Sequence, residues 1–169
     1  MCVASKPERT NFMLVLGIAP GLDALAYSVV WWKDDGDVIA VDTDILRCRP
    51  LSLEGKRNPE KRSRVHMLVL SVVAERFPPT QICIGPVIDP REPELHVQAA
   101  LLMIRAVAAA GGVPVIRIES EADLFRRLDA RPPRLGPAVQ RRLTAPIGTR
   151  DRRIVLATAA AVAVGKTAA

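Results

Sequence analysis

Met13-Leu14-Val15-Leu16-Gly17-Ile18-Ala19-Pro20-Gly21-Leu22 is the stretch on which the fold turns. It is part of an apolar run from Phe12 to Ile18 that stops at Ala19-Pro20-Gly21, and a Pro-Gly pair marks a turn. A second apolar run follows from Leu25 to Trp32. It is enriched in Val, Trp and Tyr, residues that suit a pleated, half-buried surface, so it predicts a strand. Asp34-Asp35-Gly36-Asp37 has the composition of a hairpin turn. From Val38 to Leu46 the pattern alternates, with Val38, Ala40, Thr43 and Ile45 interspersed with Asp42 and Asp44. Three strands joined by short turns predict an antiparallel meander.

The period changes beyond the meander. Residues 47–57 are polar and basic. Asn58-Pro59-Glu60 combines an N-cap residue, a proline at the first helical position and an acid near the positive helix end. Val65, Leu68, Val69, Val72 and Val73 follow at helical spacing, which predicts an amphipathic helix over 59–77. Pro78-Pro79 stops it, and Gln81 to Ile84 reads as a short buried strand. After a proline-containing loop over 85–92, residues 93–110 predict a helix apolar on most sides, closed by Gly111-Gly112. Val113 to Ile118 predicts a fifth strand. Ser120-Glu121-Ala122-Asp123 opens a short helix with a variant capping box. A Pro/Arg-rich loop over 129–137, a short basic helix over 138–144 and a last apolar helix over 150–164 complete the chain. The order β-β-β-α-β-α-β-α-α predicts an α/β protein with one mixed five-stranded sheet and helices on both faces. The length of 169 residues suits a single domain over 11–166, preceded by a flexible N-terminus over 1–10.

Composition narrows the classes. A hydrophobic content of 49% excludes a largely disordered chain. Cys2, Cys48 and Cys83 are far apart and form no CxxC or Cys/His cluster, so neither a zinc site nor a disulfide framework is expected. The first residues lack the apolar core of a signal peptide. The longest largely apolar run, Ile154 to Val164, has 11 residues, far short of the ~20 that a membrane span needs. The expectation is a soluble cytoplasmic protein with no membrane partner.

The opening motif, with Tyr27 and Val29 on the next strand, resembles the first strand and turn of the RuvC family of Holliday-junction resolvases. In that family the turn reads Gly-Ile-Asp-Pro-Gly; here Ala19 stands in place of the Asp. The resemblance continues in order and spacing. Phe77-Pro78-Pro79-Thr80-Gln81-Ile82-Cys83-Ile84 is similar to the approach to the family's fourth strand, and Gly112-Val113-Pro114-Val115 to its fifth. Val139-Gln140-Arg141-Arg142-Leu143, then Pro146, resembles the basic helix before the last one. Asp151 through Ala161 resembles the final helix. Together they span roughly residues 12–164 and imply the ribonuclease H-like fold.

The resemblance also implies a chemistry. Nucleases of this fold hydrolyse a phosphodiester with two Mg²⁺ ions ~3.5–4 Å apart, held by carboxylates. The family provides four: one ending strand one, one ending strand four, and two on the last helix, three residues apart. The corresponding positions are Ala19, Gly85, Asp151 and Ile154. Asp151 alone keeps its acid, and Ala, Gly and Ile have no side-chain oxygen. No cofactor is then expected. A relocated Mg²⁺ site from Asp151, Asp23 and Asp89 is the alternative if the chain is active. The first expectation is a catalytically degenerate RuvC-like protein that binds branched or duplex DNA in recombination or repair. The second is an active Mg²⁺-dependent crossover-junction endodeoxyribonuclease with displaced acids. The third is a protein-interaction module on a nuclease-like fold.

The charge is segregated, within a net of +6. Residues 34–44 hold five acids and no base, whereas residues 45–64 carry a net of +5. Residues 119–153 carry a net of +4 and include Arg126, Arg127, Arg131, Arg134, Arg141, Arg142, Arg150, Arg152 and Arg153. Arginine grips phosphate bidentately and without regard to base sequence, so this second cluster is the predicted DNA-binding set. The loop after strand four, Pro86 to Glu94, has no aromatic residue and one arginine, unlike the family's junction-opening loop. The helix over 93–110 matches the element through which the family dimerises and implies a homodimer, with Leu95, Ala99, Leu102, Met103 and Ala106 on its buried side. His66 and His96 read as surface or boundary histidines. Gly165-Lys166-Thr167 follows a helix and lacks the first glycine of a phosphate-binding loop, which excludes that motif.

Overall fold

A computed structural model describes residues 13–21, 24–33, 36–47, 59–87, 94–130, 134–144 and 149–164. The strands are β1 (Met13–Ala19), β2 (Ala24–Trp32), β3 (Asp37–Arg47), β4 (Gln81–Ile84), β5 (Val115–Arg117) and β6 (Arg134–Leu135). The helices are α1 (Pro59–Arg76), α2 (Glu94–Ala110), α3 (Glu121–Ala130), α4 (Pro137–Thr144) and α5 (Thr149–Val164). Together they make one mixed sheet in the order β5-β4-β1-β2-β3-β6. The meander β1-β2-β3 is antiparallel, and β4, β5 and β6 join it in parallel.

Both ends of the chain's turns bear out their signals. Gly36, at φ +84°, closes the β2–β3 turn, where the Lys33 amide donates to the Asp37 carbonyl at 2.9 Å. Gly112, at φ +63°, ends α2: the Val113 amide reaches the Ala108 carbonyl and the Gly112 amide the Ala109 carbonyl, the paired bonds of a Schellman cap. At the start of α3 the Ser120 hydroxyl accepts from the Asp123 amide at 3.1 Å, an N-cap worth about 1 kcal/mol.

The sheet separates two cores. Leu16, Ile18, Leu25, Tyr27 and Val29 face α1 and α2, packing on Leu70, Val73, Leu101, Ile104 and Ala108. On the opposite face, Val15, Ala19, Ala26 and Val30 pack beneath α5, with Leu124 of α3 and Val139 of α4 in the same cluster. Helix α5 is buried on nearly every side from Val155 to Val162 because the sheet, α3 and α4 surround it. Burial also pushes the Cys83 thiol up to about 12, so it behaves as a small apolar side chain. Among the described residues, no helix is long and apolar enough to cross a membrane.

Three expectations need correction. The sheet has six strands rather than five. The extra strand, β6, lies in the stretch read as loop, and a two-residue strand pairing Asp37–Val38 has no periodicity to betray it. Gly136 permits the close approach beside it, since a Cβ there would lie 2.9 Å from the Val38 carbonyl oxygen. Second, the buried face of α1 is His66, Leu70 and Val73, while Val65, Leu68 and Val72 are 46%, 63% and 61% exposed. His66 is thus a core residue, not a surface or boundary one; the side chain of His96 lies outside the described set. Third, α2 is buried on one side only: Leu102 is 65% exposed and Ala106 is exposed, whereas Leu101, Met103 and Ile104 are buried.

Candidate functional site

The C-terminal ends of β1 and β4 meet beneath the middle of α5, around Leu156 to Ala161. Ile18 pairs with Ile84 in parallel register, and the Gly85 amide donates to the Ile18 carbonyl at 2.7 Å. Ala19 and Gly85 are therefore neighbours at one end of the sheet, and both are buried. A Cβ on Gly17 would lie 2.0 Å from the Ala157 carbonyl oxygen and 2.8 Å from the Ala161 Cβ. At Gly85 a Cβ would lie 3.3 Å from the Ala160 Cβ. Glycine on the strands and alanine on the helix let α5 rest directly on the sheet.

Polar groups pin this contact further along. The Thr158 hydroxyl, on α5, donates to Ser28 Oγ at 3.1 Å, and Ser28 Oγ is 3.0 Å from Thr43 Oγ1. The Trp32 indole N–H donates to the Ala161 carbonyl at 3.4 Å. Ser28 and Thr158 are fully buried, so their mutual hydrogen bond removes a desolvation penalty on each. This hydroxyl chain lies outside the site residues that the sequence singles out. Its only sequence signal is two small hydroxyl residues inside otherwise apolar segments.

A pair of Mg²⁺ ions does not fit these residues. Ala19, Gly85 and Ile154 offer no side-chain oxygen, and α5 occupies the space above Gly17 and Gly85. Among the described residues, no three His, Cys, Asp or Glu side chains come together as a metal-holding group. Asp42 and Asp44 pair with Val29 and Tyr27, on the sheet face away from α5. The Tyr27 hydroxyl donates to Asp42 Oδ2 at 3.1 Å. Burial, then Asp42, pushes that phenol up to about 12. Asp23 and Asp89 lie outside the described residues, and Asp151 is placed on α5 by its backbone alone.

The structure distinguishes among the predicted arginines. Arg126 and Arg127 both bind Asp123, at 2.5 and 3.0 Å, and the Arg126 hydrogen bond is the main cause of the carboxyl's lowered pKa. Arg152 reaches across from α5 to Glu121 of α3 at 2.5 Å, tying the two helices. Arg134 pairs with Asp37 at 3.5 Å on the other edge of the sheet, and Arg141 donates to the Pro137 carbonyl at 3.3 Å. Arg153 is half-buried, with a shielded Nε that meets no acceptor. Arg131, and the side chains of Arg142 and Arg150, lie outside the described residues. Arg126, Arg127, Arg152 and Arg153 thus gather on α3 and α5, whereas Arg134 stands apart from them.

A central antiparallel meander, flanked in parallel by helix-connected strands and with helices on both faces, is the ribonuclease H-like fold. Within it the structure is similar to Thermus thermophilus RuvC in complex with a Holliday junction substrate, at TM-score 0.66 and 20% identity over 89% of this chain and 91% of that one. It is also similar to another Thermus thermophilus RuvC structure, at TM-score 0.62 and 18% identity over 89% and 92%. The yeast mitochondrial Holliday junction resolvase Ydc2 aligns at TM-score 0.63 and 14% identity over 88% of this chain and 76% of that one. At such identities the agreement is one of fold. No protein-family model matches the sequence, and no curated protein matches it.

Proposed function

We propose that this chain is a RuvC-like protein that has lost nuclease chemistry and binds branched or duplex DNA in recombination or repair. The observation that carries the proposal is the end of β1 and β4: Ala19 and Gly85 stand where a nuclease of this fold needs carboxylates, and α5 packs straight onto the adjacent Gly17. Asp151 is the one family acid the chain keeps, and a single carboxylate cannot organise two metal ions. The remaining role is to hold the phosphate backbone through the arginines of α3, α4 and α5 and of the segments between them. Such contacts are independent of base sequence and weaken steeply with salt.

A second copy of the chain is the favoured protein partner. Val65, Leu68 and Val72 recur at helical spacing on α1, which packs beside α2 and its exposed Leu102. An exposed apolar stripe of this kind marks an interface. The expected dimer therefore uses α1 as well as the 93–110 helix. The proposal further holds residues 11–166 to be one domain of a cytoplasmic protein.

The test is a titration of the protein onto a labelled four-way junction and a matched duplex, at low and at high salt. Binding at low salt that falls steeply as salt rises supports the proposal. No binding to either DNA at low salt overturns it.

A further inference from the structure

We infer that Arg153 is a fixed cation in the place of a nuclease metal pair, where it holds a DNA backbone phosphate without any metal. The inference rests on the DNA-binding reading above and goes beyond it, because it assigns the phosphate contact at the sheet's end to one residue.

The placement follows from helix and strand geometry. Arg153 precedes Ala157 by four residues and Ala160 by seven, so the three share one face of α5. That face meets the sheet between β1 and β4, since the Ala157 carbonyl lies against Gly17 and the Ala160 Cβ against Gly85. Helix α5 runs antiparallel to β1: Ala161 is bonded by Trp32, whose register partner Met13 begins β1. One turn back from Ala157 is ~5.4 Å, which matches about two strand residues at ~3.3 Å each. The stem of Arg153 is thereby carried one turn beyond the Gly17 contact, toward the level of Ala19 and the strand ends. Helical side chains lean toward the helix N-terminus, which aims the guanidinium outward past the strand ends.

Its surroundings set Arg153 apart from its neighbours. Arg126, Arg127 and Arg152 are each bound to a carboxylate. Arg153 forms no ion pair among the described residues, and its Nε is shielded from solvent with no acceptor. A buried guanidinium N–H left without an acceptor is unfavourable, which marks Arg153 as a group that this fold leaves without an internal anion among the described residues. The guanidinium offers a planar fork that grips a phosphate through two parallel hydrogen bonds. It cannot ionise a bound water as a metal does, so this arrangement retains a phosphodiester and does not cleave it.

The experiment is fluorescence anisotropy on a labelled four-way junction, in EDTA and in Mg²⁺ at matched ionic strength, with wild type, Arg153→Ala, Arg153→Lys and, at the opposite end of the sheet, Lys33→Ala. The wild type is expected to bind equally well in both buffers. Arg153→Ala is expected to weaken binding about tenfold and to lower the log–log salt slope by about 0.9, the loss of one phosphate contact. Its melting temperature should equal or exceed that of the wild type. Arg153→Lys should recover part of the affinity, and Lys33→Ala should bind as wild type. Arg153→Ala binding as tightly as wild type, with the same salt slope, overturns this inference and leaves the DNA-binding reading standing, as does wild-type binding that requires Mg²⁺. Wild type that fails to bind any DNA overturns the broader reading first.

Discussion

Gly17→Ala tests the contact that closes the site. The added Cβ would lie 2.0 Å from the Ala157 carbonyl oxygen and 2.8 Å from both the Ala161 nitrogen and its Cβ. Two of these three atoms belong to the backbone of α5, so no rotamer change relieves the overlap. The helix itself must move off β1 by about 1.4 Å, from 2.0 Å to 3.4 Å, to restore an ordinary carbon–oxygen contact. A gap of that size forfeits at least half of the dispersion well for the atoms around it. Overpacking of this kind costs about 1–3 kcal/mol. The movement also strains the 3.1 Å Thr158–Ser28 and 3.4 Å Trp32–Ala161 hydrogen bonds, each worth about 1 kcal/mol. The lower chain entropy of alanine returns about 0.4–1 kcal/mol. The expected net loss is about 3 kcal/mol, a large share of a typical 5–15 kcal/mol stability. Urea denaturation followed by tryptophan fluorescence measures it, because buried Trp32 reports on the contact. Gly112→Ala is the comparison: it has open space around the site and a φ of +63°, so it should lose only about 1 kcal/mol, from backbone strain. Gly17→Ala within 0.5 kcal/mol of wild type would refute the direct packing of α5 on β1.

The other predictions concern charge and association. Tyr27 is the chain's one tyrosine, so absorbance at 295 nm reports it alone. Its folded pKa of about 12 lies above the free value of 10.0, so the protonated phenol stabilises the fold fully below pH 10, and that contribution disappears as the pH rises toward 12. A titration midpoint at 10 in the folded protein would contradict the Tyr27–Asp42 hydrogen bond. Leu68→Glu, on the exposed stripe of α1, should convert a dimer to a monomer in sedimentation while leaving stability within about 0.5 kcal/mol; an unchanged dimer would remove α1 from the interface. Glu121→Gln frees Arg152. The pair is partly exposed, so the stability loss should stay below about 1 kcal/mol, while junction affinity at low salt should rise a few-fold. A fall in affinity would count against Arg152 as a phosphate contact.

Much of the fold was legible because local chemistry and tertiary outcome agree. Pro20-Gly21, Gly36 and Gly111-Gly112 punctuate the chain where the elements end, and Ser120 caps the helix it was expected to cap. What escaped depended on neighbours distant in sequence. Val65, Leu68 and Val72 form an apolar stripe in the sequence, but nothing there says that His66, Leu70 and Val73 are buried instead, the last two against the sheet and α2. Strand β6 exists because Gly136 brings two residues against β3, a pairing without any periodic signature. At the site, Ala19, Gly85 and Ile154 could be singled out only through the family resemblance. The closeness of α5 to Gly17 was not legible in the sequence, and neither was the contrast on α3 and α5 between the carboxylate-bound Arg126, Arg127 and Arg152 and Arg153. Charge counting treats all nine arginines alike, whereas Asp123 and Glu121 engage three of them.

The central claim is that the fold has kept its hold on DNA without the means to cut it. The most direct measurement is a nicking assay on an end-labelled four-way junction, at protein concentrations that saturate binding, with Mg²⁺ or Mn²⁺ supplied. The account predicts an intact junction in both metals over hours. Metal-dependent cleavage that disappears in Asp151→Asn would contradict it and place a working metal site on displaced acids.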